Sequence, residues 1–424
     1  MFELIHTYHR RRVGLRQWAF AVCVAAAMLC VAGPTAGELP PVPVPEENPQ
    51  SEARRVLGKI LFWDEQLSYD DTVACGTCHR PGAGGADPRA GRHPGTDPGT
   101  IDDVFGSPGV VRRGPEGNAL QDPVFDTAPQ VTARSSPSHF MALWAESVFW
   151  DGRAGPQLID PLNDAVVISR GGALEAQALQ SLSNAAEMSR DDHDWQELTR
   201  KLERVRPLAL ATDWPDDVAA AIEAQPDYPQ LFSAAFGNAR ITPIRIAFAL
   251  AAWQRTLIAD QTAWDRMRAG DQAALSPAAQ RGWRDFQAFQ CTACHAPPLF
   301  TNNDFANIGL RLTRFDAGRL NVTGDPEDAG EMKVPSLRNV ALRSRFMHTG
   351  QFATLGAAVG FYLTGPALED RDNLPGGSVY SFNMGNQSEA DIGIFLAEGL
   401  TDPRVRDEQF PFDRPTLRSE QAEN

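Results

Sequence analysis

The sequence predicts an all-α protein of two helical domains, on three observations. Apolar residues recur at helical spacing in segments opened by Ser, Thr or Asp; after the Thr242-Pro243 start, Ile246, Leu250, Trp253 and Leu257 share one face. No run of alternating apolar and polar residues marks a sheet. The motif Cys-x-x-Cys-His occurs once in each half, as Cys75-Gly76-Thr77-Cys78-His79 and as Cys291-Thr292-Ala293-Cys294-His295. A length of 424 residues suits about two to three domains, and a 42% apolar fraction is enough to fill their cores.

That motif has a specific chemistry. Its two thiols form thioethers with the vinyl groups of a haem, and the adjacent imidazole ligates the iron from one face. The spacing lets one helical turn present two sulfurs and a ring nitrogen to a single porphyrin. A zinc half-site or a redox dithiol is the alternative for a single copy. Two copies, both ending in His and with no other cysteine beyond residue 37, predict two c-type haems. Each helical domain is therefore cytochrome-c-like, with one covalently attached haem.

Taken in order, residues 1–37 read as a secretory signal. Arg10, Arg11, Arg12 and Arg16 precede an apolar run from Trp18 to Val31, and small residues follow from Gly33 to Gly37. The run is short for a membrane span. The mature form is expected without one, in the periplasm, since c-type haem is attached outside the cytoplasmic membrane. The formal net charge of −15 falls to roughly −18 once the leader's excess arginines are removed. Such an acidic balance argues against nucleic acid and favours a basic protein partner.

Residues 38–50 form an extended, proline-rich lead-in. A helix is predicted from Ser51 to Phe62, just ahead of the first motif. From Pro81 to Pro137 the composition turns to Gly, Pro and Asp with little periodicity, giving a long loop beside the first haem that shapes access. Helices follow over Gly172–Leu182, Asp192–Val205 (capped near Asp191 or Asp192), Thr242–Ala259, from Ser276-Pro277 towards Cys291, Thr354–Tyr362 and Ser388–Leu400. The expected boundaries are 38–239 for the N-terminal haem domain and 240–415 for the C-terminal haem domain. Residues 416–424 are expected as a disordered tail. The internal repeat is one haem module per half, showing no likeness beyond the motif itself.

His79 and His295 supply the fifth iron ligands, so the sixth position decides the chemistry. A Met or His there gives a closed electron-transfer site, whereas an open position admits peroxide or oxygen. After His295 the candidates are Met332, Met347, Tyr362 and Met384, with Met347 at the spacing usual in small cytochromes. For His79 they are His93, His139 and Met141.

Several further motifs occur in order around the haem sites. They are Phe149-Trp150-Asp151-Gly152-Arg153, Glu187-Met188, Val334-Pro335-Ser336-Leu337-Arg338-Asn339-Val340, Phe346-Met347-His348-Thr349-Gly350 and Leu400-Thr401-Asp402. With them the chain, from about Ser51 to Pro415, resembles the bacterial di-haem cytochrome c peroxidase and MauG superfamily. The resemblance implies that the His79 haem reacts with hydrogen peroxide and that the His295 haem stores or relays an electron. It implies Trp150 as a stepping stone between the haems, Glu187 as the pocket carboxylate that moves a proton between the peroxide oxygens, and Gln177 as the pocket glutamine. Tyr362 falls where peroxidases of the family place a ligand methionine and MauG-like members a tyrosine. A phenolate favours ferric iron, a thioether ferrous iron. Met347 is the alternative ligand.

The chain also departs from the family pattern. An insertion separates Trp150 from Gln177. Ser181 stands for a pocket proline, and Ser135 stands for the asparagine that helps hold a calcium between the domains, leaving carbonyls near Val334 and Ser336. No histidine matches the one that closes the resting peroxidatic haem. His93 reads as a loop residue, His193 as surface, His139 as pocket or core, and His348 as a hydrogen-bonding residue near the second haem. The leading function is a periplasmic peroxidase reducing hydrogen peroxide with electrons from a small cytochrome c or cupredoxin. The alternatives are a MauG-like enzyme oxidising Trp or Tyr of a partner protein, and a non-enzymatic two-haem electron carrier.

Overall fold

The structure is a computed structural model that describes residues 38–96, 98–364 and 384–421. The expected signal segment lies outside the described residues. Helix α1 (Glu52–Trp63) starts where the Ser51 hydroxyl accepts the Arg54 amide, and its apolar stripe of Leu57, Ile60 and Leu61 is buried. The single turn α2 (Cys75–Cys78) follows and sits hard against α1. A Cβ on Gly76 would fall 2.1 Å from the Trp63 ring, so only glycine lets the first motif pack there.

The expected loop over 81–137 holds two antiparallel pairs: β1 (Gly91–His93) with β2 (Val104–Gly106), and β3 (Pro108–Val111) with β4 (Pro129–Val131). The insertion before Gln177 forms a hairpin, β5 (Leu158–Ile159) and β6 (Val166–Ile168). These strands are too short for a period-two pattern to show in the sequence. Helices α3 (Ala173–Leu182), α4 (Trp195–Leu202), α5 (Asp216–Ala224), α6 (Tyr228–Phe236), α7 (Pro243–Gln254), α8 (Ala263–Arg268) and α9 (Pro277–Ala288) come next. Then follow β7 (Phe305–Ala306), α10 (Leu320–Thr323), β8 (Met332–Lys333), α11 (Leu355–Thr364), α12 (Asn386–Ile394), α13 (Pro403–Arg406) and α14 (Arg418–Gln421). The protein is helix-rich with few strands.

Several boundaries move for local reasons. Helix α4 starts late because Asp194, whose carboxylate accepts the Gln196 amide at 2.8 Å, is its cap. Helix α12 stops at Ile394 and passes into a π-turn over Phe395–Gly399. Helices α5, α6 and α8 were not expected; α8 opens with a capping box between Thr262 and Asp265.

Two larger hydrophobic clusters dominate the described residues, beside two small ones around Leu174 and Leu275. The first joins α1, α3, α6 and α7, and the second gathers Trp264, Phe286, Phe300, Ile392, Phe395 and Leu400. Helix α7 packs on α1 in the first cluster. The chain then returns: Val405, Phe412 and Leu417 are fully buried in that same first cluster. Residues 416–421 therefore correct the expected tail, because Leu417 is buried and Glu420 pairs with Arg80 and Arg414.

The internal repeat extends well beyond the haem motifs. Pro137-Ser138 leads to Met141 in the left-handed region, a 3-10 turn over Ala142–Trp144, and a second left-handed residue at Phe149. Pro335-Ser336 leads at identical spacing to left-handed Asn339, a 3-10 turn over Val340–Leu342, and left-handed Met347. Matching bridges close both copies, Val148 with Ala154 and Phe346 with Phe352. The copies also exchange backbone bonds. Ser135 donates its amide to the His348 carbonyl at 2.8 Å, and Lys333, at the matching position, donates to the Trp150 carbonyl at 2.7 Å. Backbone conformation survived where side chains diverged, which is why the sequence hid the repeat.

Candidate active site

The first motif presents a neutral, oriented imidazole. His79 Nδ1 lies 3.0 Å from the Gly85 carbonyl oxygen, which can only accept, so Nδ1 carries the proton and Nε2 keeps its lone pair for a metal. Burial holds the ring's pKa below the ordinary histidine value. Cys75 and Cys78 are free thiols, and burial pushes Cys75 up to about 12. His139 lies beside His79, ring centroids 5.2 Å apart, with its own Nδ1 3.2 Å from the same Gly85 oxygen. It is thus both pocket and core, and its Nε2 is buried without a partner among the described residues. His93 closes β1, accepts the Gly95 amide at 3.1 Å and packs on Phe125. His193 is half-buried, bonded to Ser189 Oγ, rather than on the surface.

Above this motif lies a cavity of about 970 Å³ whose wall includes Cys75, Cys78, His79, Trp150, Gln177 and Glu187. Helix α3 supplies Gln177, and the turn after it folds Glu187 back towards α3. Asn184 Nδ2 donates to Glu187 Oε1 at 2.8 Å, and Gln177 Nε2 donates to Ser181 Oγ at 2.8 Å. Burial raises the Glu187 pKa, while a hydrogen bond from Ser181 and the charge of Arg153 oppose the rise. Trp150 is buried and donates Nε1–H to the Ser135 carbonyl at 2.7 Å. Its ring lies 6.1 Å from that of His348, the residue at the matching place in the second copy of the repeat.

The second motif repeats the histidine geometry. His295 Nδ1 lies 3.2 Å from the Phe300 carbonyl and 3.1 Å from that of Pro335, and burial pushes its pKa down to about 4. Tyr362, on α11, packs against the second cluster together with Cys291. Burial, then Cys291 and Cys294, raise its pKa. Met347 is half-buried in its left-handed turn and is not among the residues packed against that cluster; Met384 is. Met332 is buried at β8, beside His348.

Between the two copies lies a set of cations that the sequence did not single out. Arg134 binds Asp151 at 2.6 Å and Asp316 at 2.7 Å. Arg311 pairs with Asp102, yet its Nε and Nη1 are buried without partners among the described residues. Arg134, Arg311 and Lys333 all face the cavity. Unspent buried donors of this kind suit the carboxylates of a porphyrin. With free thiol pairs and imidazoles whose Nε2 is left open, the residues fit covalently held haem.

They do not fit the expected calcium. Arg343 Nη2 lies 3.0 Å from the Ser136 carbonyl and 3.4 Å from Ser135 Oγ, placing a cation where a second would be repelled. The Val334 carbonyl already accepts from Thr301 Oγ1 at 2.6 Å. Among the described residues no group of three or more His, Cys, Asp or Glu is arranged to hold a metal ion.

A helix-rich fold with paired Cys-x-x-Cys-His turns, and a carboxylate-bearing cavity over one of them, defines the class: a haem-dependent redox protein. Comparison with known proteins names the family. Residues 52–273 match the family described as di-haem cytochrome c peroxidase, and the chain belongs to that family. It is therefore an oxidoreductase enzyme of a family that implies two c-type haems and peroxide chemistry, and the non-enzymatic carrier reading is set aside.

The chain is 28% identical to cytochrome-c peroxidase IdrP1 of Denitromonas iodatirespirans, over 94% of this chain and 96% of that protein. It is 29% identical to methylamine utilization protein MauG of Methylorubrum extorquens, over 85% and 82% respectively. The crystal structure of a MauG-like protein associated with microbial copper homeostasis superposes with a TM-score of 0.60 at 25% identity, covering 88% of this chain and 96% of that one.

Proposed function

We propose that the protein is an exported, periplasmic peroxidase that reduces hydrogen peroxide with electrons from a small redox protein. The observation that carries this reading is that Glu187, Gln177 and Trp150 share one cavity with Cys75, Cys78 and His79. When bound, haems held by Cys75, Cys78, His79 and by Cys291, Cys294, His295 supply one iron that can bind and reduce peroxide and another that can store an electron. One site falls in each sequence half, 38–239 and 240–415, although α7 and the segment with Val405 and Phe412 pack into the first core.

Glu187 acts on protons. Its carboxylate takes the proton from the nearer peroxide oxygen and returns it to the farther one, which leaves as water. Gln177 orients the peroxide from the same wall. Trp150 bridges the two copies of the repeat through its backbone bond to Lys333 and its ring contact with His348, which suits a route for electrons. Among the described residues no helix is long and apolar enough to cross a membrane.

Glu187→Gln is expected to lower peroxide-dependent oxidation of a reduced small cytochrome c by about 10²–10⁴-fold, with haem content unchanged. Wild-type turnover by that variant overturns the assignment.

A second reading has its own support. Tyr362 beside Cys291 favours a MauG-like enzyme that oxidises Trp or Tyr of a partner protein, with Tyr362 rather than Met347 as the second iron's sixth ligand. Rapid turnover with reduced cytochrome c supports the peroxidase. Failure of that turnover, together with a six-coordinate spectrum lost in Tyr362→Phe, supports the MauG-like enzyme.

A further inference from the structure

We propose that Asn184 is a positioning residue that decides which oxygen of Glu187 handles the proton: its Nδ2–H holds Oε1, and Oε2 is left to take a proton up and release it. The inference rests on the reading of Glu187 as the pocket carboxylate. The orientation of the Asn184 amide is fixed by its neighbours. Its Oδ1 lies 2.8 Å from the Ala186 backbone nitrogen, which can only donate, so Oδ1 is the acceptor. Nδ2 therefore faces Glu187 as a donor, 2.8 Å from Oε1. A carboxyl oxygen that accepts such a bond is the poorer site for a proton, so the neutral form of Glu187 carries its proton on Oε2.

The turn that bears both residues is braced from within and by three distant segments. The Asn184 carbonyl accepts the amides of Glu187, Met188 and Ser189 at 3.1, 3.0 and 2.9 Å. Gln130, on β4, donates Nε2–H to the Ala185 carbonyl at 3.0 Å, and the Tyr69 amide donates to the Met188 carbonyl at 2.8 Å. Strand β3 comes so near that a Cβ on Gly109 would fall 1.9 Å from the Ala186 carbonyl oxygen. The backbone is thus placed by other parts of the fold. What is left to the Asn184 side chain is the direction of the carboxylate.

The same bond acts on the charge of Glu187. Burial favours the protonated carboxyl, whereas a donor on Oε1 favours the anion. Among charged groups, Arg153, which stacks over the Phe149 ring at 3.5 Å, also favours the anion. From α2, the Cys75 and Cys78 thiols feel Glu187, but both are committed to thioethers in the haem-loaded protein. Without the Asn184 donor, Glu187 keeps its proton to higher pH, and a carboxyl that is already protonated cannot accept one from peroxide.

The test is an infrared pH titration of the haem-loaded protein. It follows the protonated-carboxyl band that disappears when Glu187→Gln is added to the same background. Two variants keep an acceptor for the Ala186 amide and remove only the donor. In Asn184→Ser the hydroxyl can still close the turn but is too short to reach Oε1, and the midpoint is expected to rise by about one pH unit. In Asn184→Asp a like charge replaces the donor, and the midpoint is expected to rise further. The acid limb of the peroxide reaction should move in the same order. A residue that only closes the turn would leave both midpoints where they are in wild type. An Asn184→Ser midpoint equal to wild type overturns the proposal, and so does an Asn184→Asp midpoint no higher than that of Asn184→Ser. If Glu187→Gln reacts with peroxide at the wild-type rate, the carboxylate's role in the reaction falls, while the titration still decides what Asn184 does.

Discussion

His348 is buried beside Trp150, and its Nε2 has no partner among the described residues. Burial, reinforced by Arg134 and Arg311 and partly opposed by Asp316, pushes its pKa down to about 4. The folded value lies below the unfolded one. The residue therefore contributes stability above about pH 6.5 that is lost as pH falls towards 4. Urea unfolding of wild type and His348→Asn at pH 7 and pH 4.5 is expected to show the wild type losing about 2–3 kcal/mol more over that interval. Equal losses would show that His348 does not carry this acid sensitivity. Single residues were readable in the sequence where one side chain has one chemistry. Cys75, Cys78, His79 and Glu187 line one cavity, and Cys291 packs at the edge of the second cluster. Arg343 and Asn184 were not readable, since a surface arginine and a buried one look alike in a sequence. Only the fold shows which polar atoms lack water.

Helix α3 carries Gln177 and Ser181, so its seating sets the pocket. It is tied to the end of α7 by Arg255, which grips Glu175 at 2.7 and 3.0 Å, both side chains almost fully buried, and Asn48 adds a bond to the same carboxylate at 2.9 Å. Arg255→Met leaves a buried carboxylate without its counter-charge and is expected to cost about 3–5 kcal/mol of stability, read by denaturant unfolding of the haem-loaded protein. A loss within the error of the measurement would mean that Glu175 is solvated or neutral in the fold. Helices with strong caps were legible in the sequence: Ser51, Thr242 and Ser276 all bond the third amide of the helix they open. The hairpin β5–β6 was not. Its strands pair Leu158 with Ile168, both fully buried, and Ile159 with Val166, both exposed, so apolar residues stand on both faces and no alternation results.

At the scale of the molecule, the C-terminal segment clasps the first core. Val405, Phe412 and Leu417 are fully buried there, and Asp413 binds Lys59 Nζ at 2.8 Å inside it. Burying three such side chains contributes about 5–9 kcal/mol, comparable with the whole stability of an ordinary domain. Truncation after Asp402 is therefore expected to abolish accumulation of folded, haem-loaded protein, measured as haem per chain after export. Full loading of the truncated chain would mean that the first core closes without its clasp. The sequence by itself determined the cofactor chemistry, the helical class and the family, because thiol spacing, helical periodicity and ordered motifs are local patterns. Only the tertiary structure decided that the repeat extends into paired left-handed turns and that Trp150 meets His348. It alone decided that an arginine lies beside Ser135 and that Asn184 holds the Glu187 carboxylate. The reason is physical: those facts depend on which distant groups share a space shielded from water, and that is settled only when the chain closes on itself.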